Sequence, residues 1–183
     1  MITDQADNAL FEKVRLGDHI AFNNLYDRFW ELMYGAAYAR VKSCDLAKDI
    51  VQEIFVDIWN RKKTIKIRST VKVYLLTAVK YKVFRVIDEL AKLEQLDREN
   101  GDLTYYNSND LLDFEEIYNL IALSLDKLPD HHREIFTLSK LGGLSAKEIS
   151  LRVELEPQSV HNILSKTSKF MRKELKDHYS IFL

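Results

Sequence analysis

Acidic residues are missing from one long stretch of this chain. Between Arg61 and Ile87 there are nine Lys or Arg and no Asp or Glu, whereas Asp88 to Glu116 holds ten acids against Lys92 and Arg98. A formal net charge of -1 therefore conceals a local +9 (nine minus none) followed by a local -8 (two minus ten). Like charges gathered in one segment repel one another, which suggests a polyanionic partner. Cysteine is nearly absent too. Cys44 stands alone, so no internal disulfide can form, and a reducing cytosol fits. It is expected as a partly buried small side chain. With two Pro and five Gly among strong helix formers, the chain is expected to be all-α. No apolar run reaches the roughly 18 residues of a membrane helix, so no membrane insertion is expected. The start, MITDQADNALFEKV, lacks the basic end and apolar block of a secretory signal, which points to a cytoplasmic location. There is no H-E-x-x-H and no Gly-rich phosphate loop, and the five His show no metal spacing. No catalysis, cofactor, metal or small-molecule substrate is expected.

What is present is helical periodicity. Asp18 is placed to cap a helix running to about Val41, with Phe22, Leu25, Phe29, Leu32, Met33 and Ala36 as its inward stripe. Asp45 is expected to cap the next, from Leu46 to about Asn60. There Leu46, Ile50, Val51, Ile54, Phe55 and Ile58 share one side, opposite Asp45, Asp49, Gln52, Glu53 and Asp57. Val56 sits within that acidic face, and an acidic ridge with one apolar knob suits a basic protein groove. Residues 64–73 alternate like a strand, but the chain offers no partner strand. A loop to about Arg68 and a helix from Ser69 or Thr70 to about Leu93 is the better reading. In that helix Leu75, Val79, Val83, Val86 and Leu90 face inward, and Lys72, Lys80, Lys82 and Arg85 are expected on the surface. Tyr74, Tyr81 and Phe84 interleave the cations, a mixture that single-stranded nucleic acid favours. From Gln95 to Asp113 the chain turns acidic and loses helical period, as a flexible tether does. Two small helical domains are expected, 1–94 and 114–183, joined by a linker over 95–113.

In the second domain a helix over about Phe114–Leu125 precedes one that starts at Pro129 and stops at Gly142-Gly143. Ser145 and Glu148 then have capping-box spacing. A short helix, a turn over Val153–Glu156 and a helix opened by Pro157 make a helix-turn-helix pattern. On the last helix Val160, Ile163, Leu164, Thr167 and Met171 point inward. Gln158, Asn162, Ser165 and Lys169 point outward, flanked by His161 and Lys166, and no acid interrupts that face.

These residues resemble a family. LPDHHREIFTLSKLGGLSAKEISLRVELEPQSV is similar to region four of the bacterial extracytoplasmic-function sigma factors, and FNNLYDRFWELMYGAAYARVKSCDLAKDIVQEIFVDIW to their region two. The resemblance implies a transcription initiation factor that directs core RNA polymerase to promoters. It assigns Asp45, Asp49, Gln52, Glu53 and Val56 to core-polymerase binding. Arg61, Lys62, Lys63, Lys66, Arg68, Lys72, Tyr74, Lys80, Lys82 and Arg85 fall to the melted -10 element. Gln158, Ser159, His161, Asn162, Ser165, Lys166 and Lys169 fall to the duplex -35 element. An inhibitory anti-sigma protein is a further implied partner. The chain departs from the pattern at Glu154, where Gly is usual in the turn, and at Glu156, where a Ser or Thr cap is usual. Two other readings remain open: a dimeric helix-turn-helix regulator working without polymerase, and a polymerase-binding adaptor that no longer reads DNA.

Overall fold

The computed structural model describes the backbone of residues 2–99 and 110–176, and side chains at 5–90 and 114–176. The described residues form α-helices and no strand. The order is α1 (Ile2–Arg15), α2 (His19–Val41), α3 (Cys44–Arg61), α4 (Val71–Glu99), α5 (Asp110–Asp126), α6 (Asp130–Phe136), a π-helical turn (Thr137–Leu141), α7 (Ala146–Val153) and α8 (Pro157–Leu175).

The N-terminal half is a bundle in which α2 packs against α1, α3 and α4. Asp18 caps α2 through its Oδ1, which accepts from the amides of Ile20 and Ala21 at 2.8 and 3.0 Å. The inward stripe of α2 is as expected at Leu25, Phe29, Met33 and Ala36, while Phe22 and Leu32 are half-buried. Ser43, not Asp45, caps α3; Asp45 lies inside its first turn, where a carboxylate favours the helix dipole. Cys44 opens that helix and is exposed, contrary to expectation. α1 lies in a part of the sequence with no assigned structure. It contributes Phe11 and Val14 to the core, pairs Asp7 with Arg28 at 2.5 Å, and offers the Asn8 side chain to the first amide of α4 at 3.2 Å. Thr70 caps α4. Leu75, Val79 and Val83 are buried on α4, but Leu90 is 49% exposed, because the bundle ends before it does.

α4 and α5 extend helix into both ends of the expected linker, at 95–99 and 110–113. Its centre, with Tyr105 and Tyr106, lies outside the described residues, as does the C-terminal Tyr179–Leu183 segment. In the C-terminal half α6 and α7 pack on α8. A small core of Ile135, Leu138, Ile149 and Val160 holds these elements together. α5 and the far end of α8 belong elsewhere. Phe114, Tyr118, Ile121, Leu125, Met171 and Leu175 join the same core as the N-terminal bundle. The two halves are therefore packed against each other through α4, which touches both α5 and the π-helical turn.

The helix after Pro129 widens into the π turn, where the Gly142 amide donates to the Thr137 carbonyl at 2.9 Å. A Cβ on Gly142 would meet the Leu138 carbonyl oxygen at 2.7 Å, so only glycine closes this turn. The capping box at Ser145 and Glu148 is complete. Glu154 adopts φ 55° and ψ 41°, the left-handed conformation expected of the usual glycine, and Glu156 makes no side-chain cap bond. A non-glycine residue pays about 1–2 kcal/mol there, of which glycine's extra chain entropy returns about half to 1. Glu154→Gly is expected to stabilise the chain by about 0.5–1 kcal/mol in urea denaturation. Ser145→Ala is expected to cost about 1 kcal/mol.

Candidate protein and nucleic-acid interfaces

α3 presents one face to the α2–α4 core and leaves Asp45, Asp49, Gln52, Glu53 and Val56 exposed, Val56 at 59%. The ridge is continuous because these positions recur at three and four residues. Its flank along α2 carries a ladder that periodicity alone could have revealed: Tyr26, Trp30, Tyr34 and Tyr38, four residues apart. Successive ring centroids are 5.2, 6.0 and 6.0 Å apart and nearly parallel. On the other flank Glu53 reaches Lys82 of α4 at 2.6 Å, over a groove of about 210 Å³ with Tyr81 and Phe114 in its wall.

The basic segment divides. Lys63, Lys66 and Arg68 are exposed on the loop between α3 and α4. Lys62 lies 3.9 Å over the Trp59 ring and donates to the Trp59 carbonyl at 2.7 Å. Arg61 is held by Asp57 at 3.1 Å and by Glu115 of α5 at 3.0 Å. Lys72, Lys82 and Arg85 are half-buried, with Arg85 3.9 Å from Glu89. Two expected surface groups are inside. Tyr74 is 1% exposed, its ring set edge-on to Phe114 and Tyr118 of α5. Lys80 is 5% exposed and donates to the Lys140 carbonyl at 3.2 Å. Both lie on the side of α4 that the C-terminal half covers, a contact that projection of one helix cannot display. Phe84, 44% exposed, is the accessible aromatic of this stretch.

The outward face of α8 is as expected. Gln158, His161, Asn162, Ser165, Lys166 and Lys169 are exposed and Ser159 is half-buried. Gln158 Nε2 donates to Asn162 Oδ1 at 3.3 Å, so these two amides form one polar unit in the free chain. Thr167 Oγ1 is turned inward onto the carbonyls of Ile163 and Leu164.

Three contacts between the halves had no signal in the sequence. The Tyr118 hydroxyl accepts from the amides of Arg68 and Ser69 at 3.0 and 3.4 Å. Glu115 holds Arg61. Arg40 of α2 donates to the carbonyls of Lys140 and Leu141 at 2.8 and 3.3 Å. The end of the π turn is thus gripped by Arg40 and Lys80 together, as suits carbonyls left without helical partners.

Burial first, then the charges of Arg40 and Lys140, push the Lys80 ammonium down to about 7. An ordinary lysine holds its proton to about pH 10.4. Between about pH 7 and pH 10 the unfolded chain therefore binds more protons at this site, and its contribution to stability rises with pH across that window. Lys80→Met should flatten this dependence. In thermal melts the variant is expected above the parent at about pH 6, with the gap shrinking towards about pH 10.

Residues 118–171 match the model of the family described as Sigma-70, region 4. The chain is 28% identical over 155 residues to an ECF RNA polymerase sigma-E factor of Escherichia coli (strain K12), covering 79% of this chain and 81% of that protein. It is 25% identical over 182 residues to the ECF RNA polymerase sigma factor SigW of Bacillus subtilis (strain 168), covering 91% and 95%. A solved structure of CnrH in complex with the cytosolic domain of CnrY aligns at 20% identity over 93% of this chain and 97% of that one, with a TM-score of 0.44. The two named factors align across both halves, and the family model falls on the helices that carry the α8 face. Along both halves the chain is thus similar to extracytoplasmic-function sigma factors, and residues 118–171 carry the match to Sigma-70, region 4.

Proposed function

We propose that this chain binds core RNA polymerase and directs it to specific promoters. The observation that carries the reading is the face of α8. Gln158, His161, Asn162, Ser165, Lys166 and Lys169 stand exposed in a row without an acid, on a helix-turn-helix with its own packed core. Amides and hydroxyls near the helix start suit base edges in a major groove, and the lysines further along suit phosphates. In this reading 114–183 reads duplex at the -35 element, and 1–94 serves polymerase and the melted -10 strand. The acidic ridge of α3 with Val56 docks on a basic surface of polymerase, where a central apolar contact ringed by charge gives both anchoring and register. The exposed Lys63, Lys66 and Arg68 and the half-buried Lys72, Lys82 and Arg85 contact the opened strand. An anti-sigma protein that covers one of these faces is a further partner of the reading.

Added to core polymerase, the chain is expected to yield promoter-specific transcripts from genomic templates; their absence on every template would overturn the proposal. Lys166→Ala with Lys169→Ala should lower promoter output by about tenfold or more and reduce the salt slope of DNA binding by about two. Asp49→Lys and Val56→Asp should each weaken association with core polymerase by about tenfold, with helicity unchanged in circular dichroism.

A further inference from the structure

The exposed face of α8 has a chemical bias. Val160 is buried and Ile163 half-buried against the small core of the C-terminal half, so Gln158, Asn162 and Ser165 are turned away from the protein. Pro157 opens the helix and fixes where that row begins. A B-form major groove is about 12 Å wide, the length of about eight helical residues at about 1.5 Å each. The front of α8 therefore runs from Gln158 to Ser165, and its exposed polar groups are two amides, an imidazole and a hydroxyl. The forked guanidinium that pairs with both acceptors of guanine is missing from it. The first Arg of α8 is Arg172, about 21 Å further along the axis.

The two amides are joined. Gln158 and Asn162 are four residues apart on one side of the helix, and Gln158 Nε2 donates to Asn162 Oδ1 at 3.3 Å. An amide nitrogen carries two hydrogens. With one engaged by Asn162, Gln158 still has its second N–H and its Oε1. Adenine presents the complementary pair in the major groove, N7 as acceptor and N6 as donor. Guanine presents two acceptors there and has no donor for the amide oxygen. Resting on the reading of α8 as the helix that enters duplex DNA, we infer that Gln158 selects adenine at one position of the -35 element, and that Asn162 is the positioning residue that holds its amide for that contact. A glutamine already fixed by a neighbour loses less rotamer entropy on contact. Adenine reading at the front of the helix also leaves Lys166 and Lys169 to phosphates, where they add affinity without choosing a sequence.

The test places the full chain on core polymerase, offers a promoter library randomised across the -35 element, and sequences the transcripts. The parent should favour adenine over guanine at one position by at least about fivefold. Gln158→Ala should level that position alone, since Gln158 is exposed and its truncation disturbs no packing. Placing 7-deazaadenine there removes only the N7 acceptor. It should lower parent output about fivefold and leave the Gln158→Ala protein unmoved. Asn162→Asp keeps an acceptor for Gln158 and should retain the preference, whereas Asn162→Leu should lose it. Lys166→Ala with Lys169→Ala should lower output on every sequence while the preference stays. A profile that Gln158→Ala alters at no position, or equal loss on 7-deazaadenine in both proteins, would overturn the adenine assignment and leave promoter reading by α8 standing. Full preference in Asn162→Leu would remove Asn162 from the contact. If no library member yields a promoter-specific transcript with the parent, the underlying reading fails, and the adenine assignment falls with it.

Discussion

Tyr74 meets Tyr118 and Phe114 edge-on, with ring centroids 5.0 and 5.6 Å away, and through this contact α4 acquires a second buried face. Edge-to-face pairs add about 0.5–1.5 kcal/mol each beyond the area they remove from water. The seam draws α5 into the bundle core, and with it Met171 and Leu175 at the far end of α8. Val160, near the start of α8, is held in the smaller core with Ile135, Leu138 and Ile149. α8 is therefore fixed at both ends by different cores, which sets the direction of its outward face. Without the seam the helix-turn-helix would rest on four fully buried apolar side chains and their half-buried neighbours.

Local physics was legible in the sequence, and contacts between distant segments were not. The capping box at Ser145, the cap at Asp18 and the stripe on α3 follow from spacing alone, and the structure has them. Even the awkward Glu154 was readable, because a turn that usually carries glycine demands positive φ whatever residue occupies it. Ser43 displaced Asp45 as a cap because both types cap well and they lie two positions apart. Tyr74 and Lys80 were misplaced for a different reason. Each lies on the polar side of α4 when only the N-terminal bundle is considered, and nothing in the periodicity of that helix announces a cover arriving from residues 114–141. The π turn was equally invisible, since it differs from α-helix by one residue per turn and leaves the apolar pattern nearly intact.

The segregation of charge along the chain is partly undone by folding. Glu115, from the acidic stretch, meets Arg61, from the basic one. Glu89 meets Arg85, and Glu53 from the ridge of α3 meets Lys82. These partners are at least partly open to water, where an ion pair contributes about 0–1 kcal/mol. Such pairs relieve repulsion within the basic segment without binding its cations firmly, so they can give way to a phosphate backbone at small cost. Segregated sequence and intermingled fold are thus compatible: acids from neighbouring segments lie against part of the basic run, at Arg61, Lys82 and Arg85.

The aromatic ladder on α2 settles a related question about stacking. Tyr26, Trp30, Tyr34 and Tyr38 place rings along one flank of the acidic ridge, as a platform for bases would. Their faces, however, are turned onto one another, and the ring of Tyr26 also meets Phe55 at 4.8 Å. Stacking on a base needs a free π face, which rings already stacked in a row supply only at the ends. Acids flank the ladder as well, with Asp45 close enough to Tyr34 to help raise its phenol after the Cys44 hydrogen bond and burial. A phosphate chain would be repelled there. The ladder is better suited to stiffening α2 behind the ridge, which keeps Asp49, Glu53 and Val56 in a fixed register.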